Sequence, residues 1–320
     1  MKKSDLRVFN EIPENNGLFK NPVVTIGNFD GVHRGHKKII DKLISSSKEH
    51  NGDSIVITFR NHPRTLFHPE LLCRMITTVE EKQKFLYQLG INNIIMLNFT
   101  REFANLTADQ FFNELLIGKL KVKEIVIGYD HAFGKNREGN IDYLMKLSKT
   151  TGVFIDRVDE ETCENEVISS TFLRKEIDSG NMAVVERLLG RRYSLTGKVI
   201  KGDGRGKGLG FPTANIIPDH PDKIIPGIGS YAATIEFKDG AVYNGMLNIG
   251  NNPTFNCEKI SIEMNIFDFN KDIYDEKVSI EFYKKIRDVV KFDSPQSLIA
   301  QLKQDEKNVR DFFRDVGSQN

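Results

Sequence analysis

The sequence predicts an α/β domain built on a parallel sheet, followed by a small antiparallel β-barrel with a terminal helix. Three observations predict it. In the first half, short apolar runs alternate with segments of period near 3.6. After about Gly190 the runs become β-rich and closely spaced, with turn signals between them. A last segment has apolar positions spaced for one packed helical face.

In chain order, "PVVTIG", "SIVITF", "NIIML", "EIVIG" and "GVFIDRV" read as strands separated by helices, the pattern of a doubly wound, Rossmann-like sheet. Thr78 with Glu81, and Thr107 with Gln110, have capping-box spacing, and Gly90 stops the first of these helices. The helical pair "STFLRKEIDSGNMAVVERLLG" closes the half, which sets domains of 1–188 and 189–320. Beyond it, "SYAATIEF", "AVYNGMLNIG", "KISIEMNIF" and "KVSIEFY" alternate as strands, and Asp239-Gly240 is a hairpin turn signal. Ser294 is the expected N-cap of the last helix and Pro295 its first residue.

A chain of 320 residues has ample length for two cores. Its 45 basic and 44 acidic side chains leave a net charge of +1, which argues against a broad polycationic face for nucleic acid. Cys73, Cys163 and Cys257 are odd in number and lack a CxxC spacing, so neither a disulfide frame nor a thiolate zinc site is expected, and a reducing cytoplasm fits. No run approaches the roughly 18 apolar residues that suggest a membrane helix, so neither membrane insertion nor secretion is expected.

The first candidate site is "TIGNFDGVHRGHKKII", which leaves the end of the first of these strands and enters a helix near Arg34. Ligands gather at such strand ends in open α/β sheets, and a helix entrance presents unpaired N–H groups to an anion. His33 and His36, three apart, share a face if the helix starts by His33, while Gly31 and Gly35 let backbone and ligand approach closely. Zinc binding and two ordinary polar residues are the competing readings, and no further His/Cys cluster supplies the ligands zinc needs. "ISSTFLR", Ile168 to Arg174, reads on its own as an N-cap before a helix.

The second candidate is "KGDGRGKGLGFPTAN", with glycine at 202, 204, 206, 208 and 210. A P-loop needs glycines five apart and a dinucleotide fingerprint needs a step of three, so this even spacing satisfies neither. What remains is a flexible basic flap, with Lys201, Arg205 and Lys207 beside Asp203, or a plain surface loop. Thr213 and Asn215 follow, two apart on one side of an extended chain, an oxygen pair suited to a hard cation. Glu263 lies in an alternating strand, where a carboxylate is ordinarily solvated.

These strings carry a resemblance. Gly27, Phe29, Asp30, His33 and His36 fit the GxFDxxHxGH signature of the nucleotidyltransferase superfamily, and Ser169, Ser170, Thr171 and Arg174 resemble its ISSTxxR loop. The resemblance implies transfer of a nucleoside monophosphate with release of pyrophosphate, the histidines steadying phosphate charge and Mg²⁺ assisting. Phe59, His62 and Pro63 are similar to the TFxxHP segment of bacterial FAD synthetases, and Asp130, Phe133 and Gly134 to GxDFRFG, with His131 and Ala132 departing from it. Gly197 to Asn215 resembles the riboflavin kinase flap and GxPTAN, which implies ATP contacts from Gly202, Lys207, Gly208 and Gly210 and Mg²⁺–ATP contacts from Thr213 and Asn215. Glu263 takes the place of that family's catalytic base, Asn265 stands where a His is frequent, and Arg287 and Phe292 fit the region closing over the flavin.

In this order the motifs cover nearly the whole chain and resemble the bifunctional prokaryotic riboflavin kinase/FMN adenylyltransferase family. The resemblance implies two ATP-dependent steps, riboflavin to FMN on the barrel and FMN to FAD on the N-terminal domain. A single-activity adenylyltransferase with a flavin-binding barrel is the narrower alternative, and a non-catalytic flavin or nucleic-acid module the remote one.

Overall fold

Valine, isoleucine and threonine dominate the apolar runs of the first half, and β-branched side chains favour an extended chain that packs on both faces. In the computed structural model, which describes residues 5–67, 74–129, 133–135, 138–202, 204–254 and 257–317, these runs form one parallel sheet. By contacts the chain divides into two units, Met1–Ser170 and Thr171–Asn320.

The first unit runs β1 (Arg7–Phe9), β2 (Val23–Ile26), α1 (Arg34–Glu49), β3 (Ser54–Phe59), α2 (Pro63–Phe67), α3 (Val79–Gln88), β4 (Asn93–Leu97) and α4 (Arg101–Ala104). A π-helix (Gln110–Lys119), β5 (Glu124–Gly128), α5 (Ile141–Thr151), β6 (Phe154–Val158) and a small hairpin of β7 (Thr162–Cys163) and β8 (Glu166–Val167) follow. The order across the sheet is β1-β4-β3-β2-β5-β6, all parallel. Strand alternation splits the core in two. Val24, Ile55, Ile57, Ile95 and Ile125 pack with Phe111, Phe112 and Leu116 on one face. Val23, Val56, Ile94, Met96 and Val126 pack with Ile40, Leu43 and Leu86 on the other. Both faces are thus covered, as a parallel sheet requires.

Two details differ from the sequence reading. β1 is an extra edge strand of three residues, too short for a periodicity signal, and Arg7 Nε donates to Asn93 Oδ1 at 2.8 Å beside it. The Thr107–Gln110 capping bonds form, at 3.1 Å each way, yet the helix after them is π-helical. Its wider turn brings Phe111 and Leu116, five apart, to the same buried side. The Thr78–Glu81 box forms as expected and is worth about 1 kcal/mol.

The second unit contains most of α6 (Ser170–Ser179), then α7 (Met182–Leu189), β9 (Tyr193–Ile200), α8 (Arg205–Gly208), β10 (Ala214–Pro218), β11 (Gly229–Phe237), β12 (Val242–Thr254), β13 (Cys257–Ile266), β14 (Lys277–Arg287) and α9 (Pro295–Gly317). The strands close as an antiparallel barrel, β10-β13-β12-β11-β14-β9. At the β11–β12 turn Gly240 has φ +85° and Asp239 Oδ1 accepts from Ala241 N–H at 2.9 Å. Ser294 Oγ accepts from Ser297 N–H at 3.2 Å, with Pro295 as the first helical residue of α9. That helix packs Val309 among Phe211, Ala232, Met246 and Phe267 of the barrel. Among the described residues no helix is long and apolar enough to cross a membrane.

Candidate active sites

The chain turns back across the first unit's sheet at β2, whose neighbours are β3 on one side and β5 on the other. A crevice opens at the carboxyl ends of the strands at such a switch point. The residues after β2 fill it with a strained loop: Phe29, Gly31 and Val32 have φ of +49°, +87° and +41°. Only glycine adopts this region freely, so a buried Phe and a β-branched Val there cost on the order of 1–3 kcal/mol each. Neighbours hold them in place. The Asp30 carboxylate accepts from Ile76 N–H and Thr77 N–H, both at 3.0 Å, and Gly31 N–H donates to Thr77 Oγ1 at 3.0 Å.

His33 caps α1, its Nδ1 accepting from His36 N–H at 3.3 Å. With Nδ1 as acceptor, a neutral His33 ring carries its proton on Nε2. The His33 and His36 rings stack with centroids 3.6 Å apart and planes 18° apart, and His36 also lies 5.0 Å from Phe29. Gly35 makes room for this, since a Cβ there would press on the His33 ring at 3.2 Å. The first turn of α1 contains no acidic side chain but does contain Arg34 and Lys37, so the positive end of the helix faces no competing carboxylate of its own. Ser170 Oγ donates to the Asp30 carbonyl at 2.9 Å, which joins the Ser-Ser-Thr string to this loop. Ser170 opens α6, with Thr171 and Arg174 on its first turns.

The other expected residues of this unit are placed unevenly. Phe59 is buried at the end of β3 against Phe99 and Phe103, at 5.1 and 5.6 Å. Pro63 begins α2, and the His62 carbonyl accepts from Thr65 Oγ1 at 2.7 Å. Phe133 packs on Phe111 at 5.2 Å. Asp130, His131 and Ala132 lie outside the described residues. The Asp30 side chain faces the 76–77 backbone, so Asp30 contributes to the loop's shape and accepts from Ser170 through its carbonyl. Sequence reasoning missed Lys82, buried behind the loop, whose Nζ donates to the Asn28 and Phe59 carbonyls at 2.7 and 2.9 Å. Its signal was a lysine four residues before Leu86, on the apolar stripe of α3.

In the barrel, β10 pairs with β13 so that Asn215 stands directly opposite Glu263. Thr213 Oγ1 donates to Glu263 Oε2 at 3.4 Å, so the Thr213–Asn215 pair shares one patch with a carboxylate about fifty residues further along the chain. Asn265, buried, donates from Nδ2 to the Pro212 carbonyl at 2.8 Å and so fixes the turn that carries Thr213. The glycine segment is less bare than its sequence suggests, because Arg205–Gly208 makes one helical turn, α8. Gly208 is exposed and Gly210 has φ +83°, and the side chains of Arg205 and Lys207 lie outside the description. Any Cβ on Gly202 would collide with the Asn215 amide. Gly202→Ala is therefore expected to push Asn215 out of its place opposite Glu263.

The hydroxyl of Thr213 and the amide oxygen of Asn215 are hard oxygen donors, a pair that fits Mg²⁺ completed by water and phosphate oxygens, while the Glu263 carboxylate beside them is a proton acceptor. Arg287, at the end of β14, makes a 2.7 Å ion pair with fully buried Asp305 and lies 5.9 Å from the Phe292 ring. Removing either partner of such a pair costs about 3–5 kcal/mol.

Known proteins resemble this chain along nearly its whole length. A family model for FAD synthetase matches residues 16–172 and one for riboflavin kinase matches residues 189–313. Bifunctional riboflavin kinase/FMN adenylyltransferases from Haemophilus influenzae and Listeria monocytogenes are 34% and 36% identical, over 93% and 92% of this chain and 96% and 93% of theirs. The Escherichia coli K12 enzyme of that name is 35% identical over 91% of this chain and 92% of its own. A crystal structure from Streptococcus pneumoniae, described as a macrolide-efflux protein, superposes with a TM-score of 0.86 at 32% identity, covering 95% of this chain and 98% of that one. The chain therefore belongs to the bifunctional riboflavin kinase/FMN adenylyltransferase family, whose two activities together convert riboflavin to FAD.

Proposed function

We propose that the residues at 1–188 and 189–320 divide the two reactions between them, AMP transfer in the first and riboflavin phosphorylation in the second. The reading is supported by two separate gatherings: His33 stacks on His36 at the entrance of α1, and Thr213 and Asn215 meet Glu263 across β10 and β13.

On the barrel, Glu263 takes the proton of the attacking riboflavin hydroxyl as that oxygen bonds to the γ-phosphorus of ATP, and ADP leaves. Thr213 and Asn215 hold Mg²⁺ and the phosphates, with Gly202, Lys207, Gly208 and Gly210 giving backbone or charge to the same polyphosphate. When bound, the metal would supply positive charge to offset that of the phosphates. Arg287 lies at the flavin end of this site.

Within residues 1–188 an FMN phosphate oxygen attacks the α-phosphorus of a second ATP, forming FAD as the bond to pyrophosphate breaks. His33 and His36 donate hydrogen bonds to the phosphate oxygens as charge shifts to the leaving group, and no covalent enzyme intermediate is needed. Gly27, Phe29 and Asp30 shape this loop. Ser169, Ser170, Thr171, Arg174 and Asp130 supply further nucleotide contacts, and Phe59, His62, Pro63 and Phe133 line the flavin position. The three cysteines, without paired spacing, support a reducing compartment such as the cytoplasm.

Supplying riboflavin, ATP and Mg²⁺ to the purified chain and separating the flavins by chromatography tests the scheme. FMN is expected first and FAD after it, and omitting Mg²⁺ is expected to stop phosphorylation. Riboflavin recovered unchanged would remove the kinase half of the reading, and FMN that never becomes FAD would remove the other.

A further inference from the structure

A lysine is seldom buried without a purpose, because its ammonium loses water that only well-placed acceptors replace. Lys82, on α3, is 4% exposed, and burial lowers its pKa to about 8 against the opposing pull of the Asp30 charge. All three of its donor directions are met by fixed oxygens: the Asn28 carbonyl at 2.7 Å, the Phe59 carbonyl at 2.9 Å and Thr58 Oγ1 at 3.4 Å. Thr58 Oγ1 itself donates to the Asn28 carbonyl at 3.0 Å.

The two carbonyls belong to the two strand ends that matter. Asn28 opens the left-handed stretch through Phe29, Gly31 and Val32 that leads into His33 and His36. Phe59 ends β3 and leads into Arg60, Asn61 and His62. The same segment of chain grips the loop a second time, since Asp30 is held by Ile76 and Thr77 N–H and Gly31 by Thr77 Oγ1. Residues 76–82 match none of the motif strings, yet they fasten positions 28, 30 and 31 at once.

We propose that Lys82 is a positioning residue for AMP transfer, joining the Asn28 and Phe59 carbonyls so that the loop bearing His33 and His36 keeps a fixed offset from the strand end bearing His62. The proposal rests on the assignment of His33 and His36 to AMP transfer. Because Lys82 sits behind the backbone, its effect reaches substrate through the loop it holds. A phosphate group misplaced by about 1 Å from its catalytic donors loses on the order of 10²-fold in rate, which sets the scale expected.

The test compares full-length Lys82→Met, which keeps length and loses every donor, with His36→Ala and the unaltered chain. Lys82→Met is expected to lower kcat for FMN-to-FAD conversion by about 10- to 100-fold with KM for ATP little changed, while riboflavin phosphorylation proceeds normally. Hydrogen exchange is expected to quicken at the Gly31 and His36 amides and to stay slow in β4 and β5. Lys82→Arg, larger and planar at its head, displaces the same carbonyls and is read in the same way should Lys82→Met not fold. An unchanged kcat, a change in KM alone, or faster exchange throughout the sheet would each overturn the proposal. If His36→Ala stops AMP transfer and Lys82→Met leaves it intact, the clamp alone is wrong. If His36→Ala also leaves it intact, the histidine assignment is what fails.

Discussion

Glu263→Ala is expected to lower riboflavin phosphorylation by about 10²- to 10⁴-fold, the range for a removed general base, while FMN supplied from outside is still converted to FAD. Glu263 is half-buried on β13, opposite Asn215 and within reach of Thr213, so its truncation takes away a proton acceptor without opening a core. β13 pairs with both β10 and β12 through its backbone, and those bonds do not depend on the carboxylate. The barrel should therefore stay closed and still bind ATP. Retention of phosphorylation by the alanine variant would dismiss Glu263 as the base. Loss of both activities in a folded protein would dismiss the division of labour.

His36→Ala is expected to do the reverse, letting FMN accumulate from riboflavin while FAD formation drops by about 10²- to 10³-fold, the scale for one lost donor to a charged transition state. The geometry makes the two imidazoles interdependent. Removing the His36 ring takes away the plane on which His33 stacks, although the N–H that caps against His33 Nδ1 belongs to the backbone and remains. His33 should then keep its cap but lose some of its orientation, which places the loss at the upper end of that range. His36→Gln, which preserves a donor without the stacked ring, should fall between the two. FAD formation at the normal rate in the alanine variant would refute the assignment.

Much of this was legible in the sequence because it is carried by local pattern. The five longer strands of the sheet announced themselves by short apolar runs containing Val or Ile, the Thr78 box by residue spacing, and the last helix by Ser294 and Pro295. His33 and His36 were legible as a pair, since a three-residue step at a helix entrance dictates a shared face. What was not legible depends on contacts between distant segments. Asp30 reads as a site carboxylate within its motif, yet its oxygens turn toward the backbone at residues 76 and 77. Lys82 reads as one of several charges in α3, and only the fold places it behind β2 and β3. Asn265 reads as a departure from a pattern, and only pairing across the barrel shows its amide holding Pro212.

Because Phe29, Gly31 and Val32 are wound left-handed by contacts internal to the protein, that turn is set once, when the chain folds. On the proposed assignment the reacting phosphates meet a mould already cast, and little interaction energy is drained by immobilising chain as the transition state forms. A substitution that slackened the winding would return that entropy to the free enzyme, and each turnover would have to remove it again on the way to the transition state.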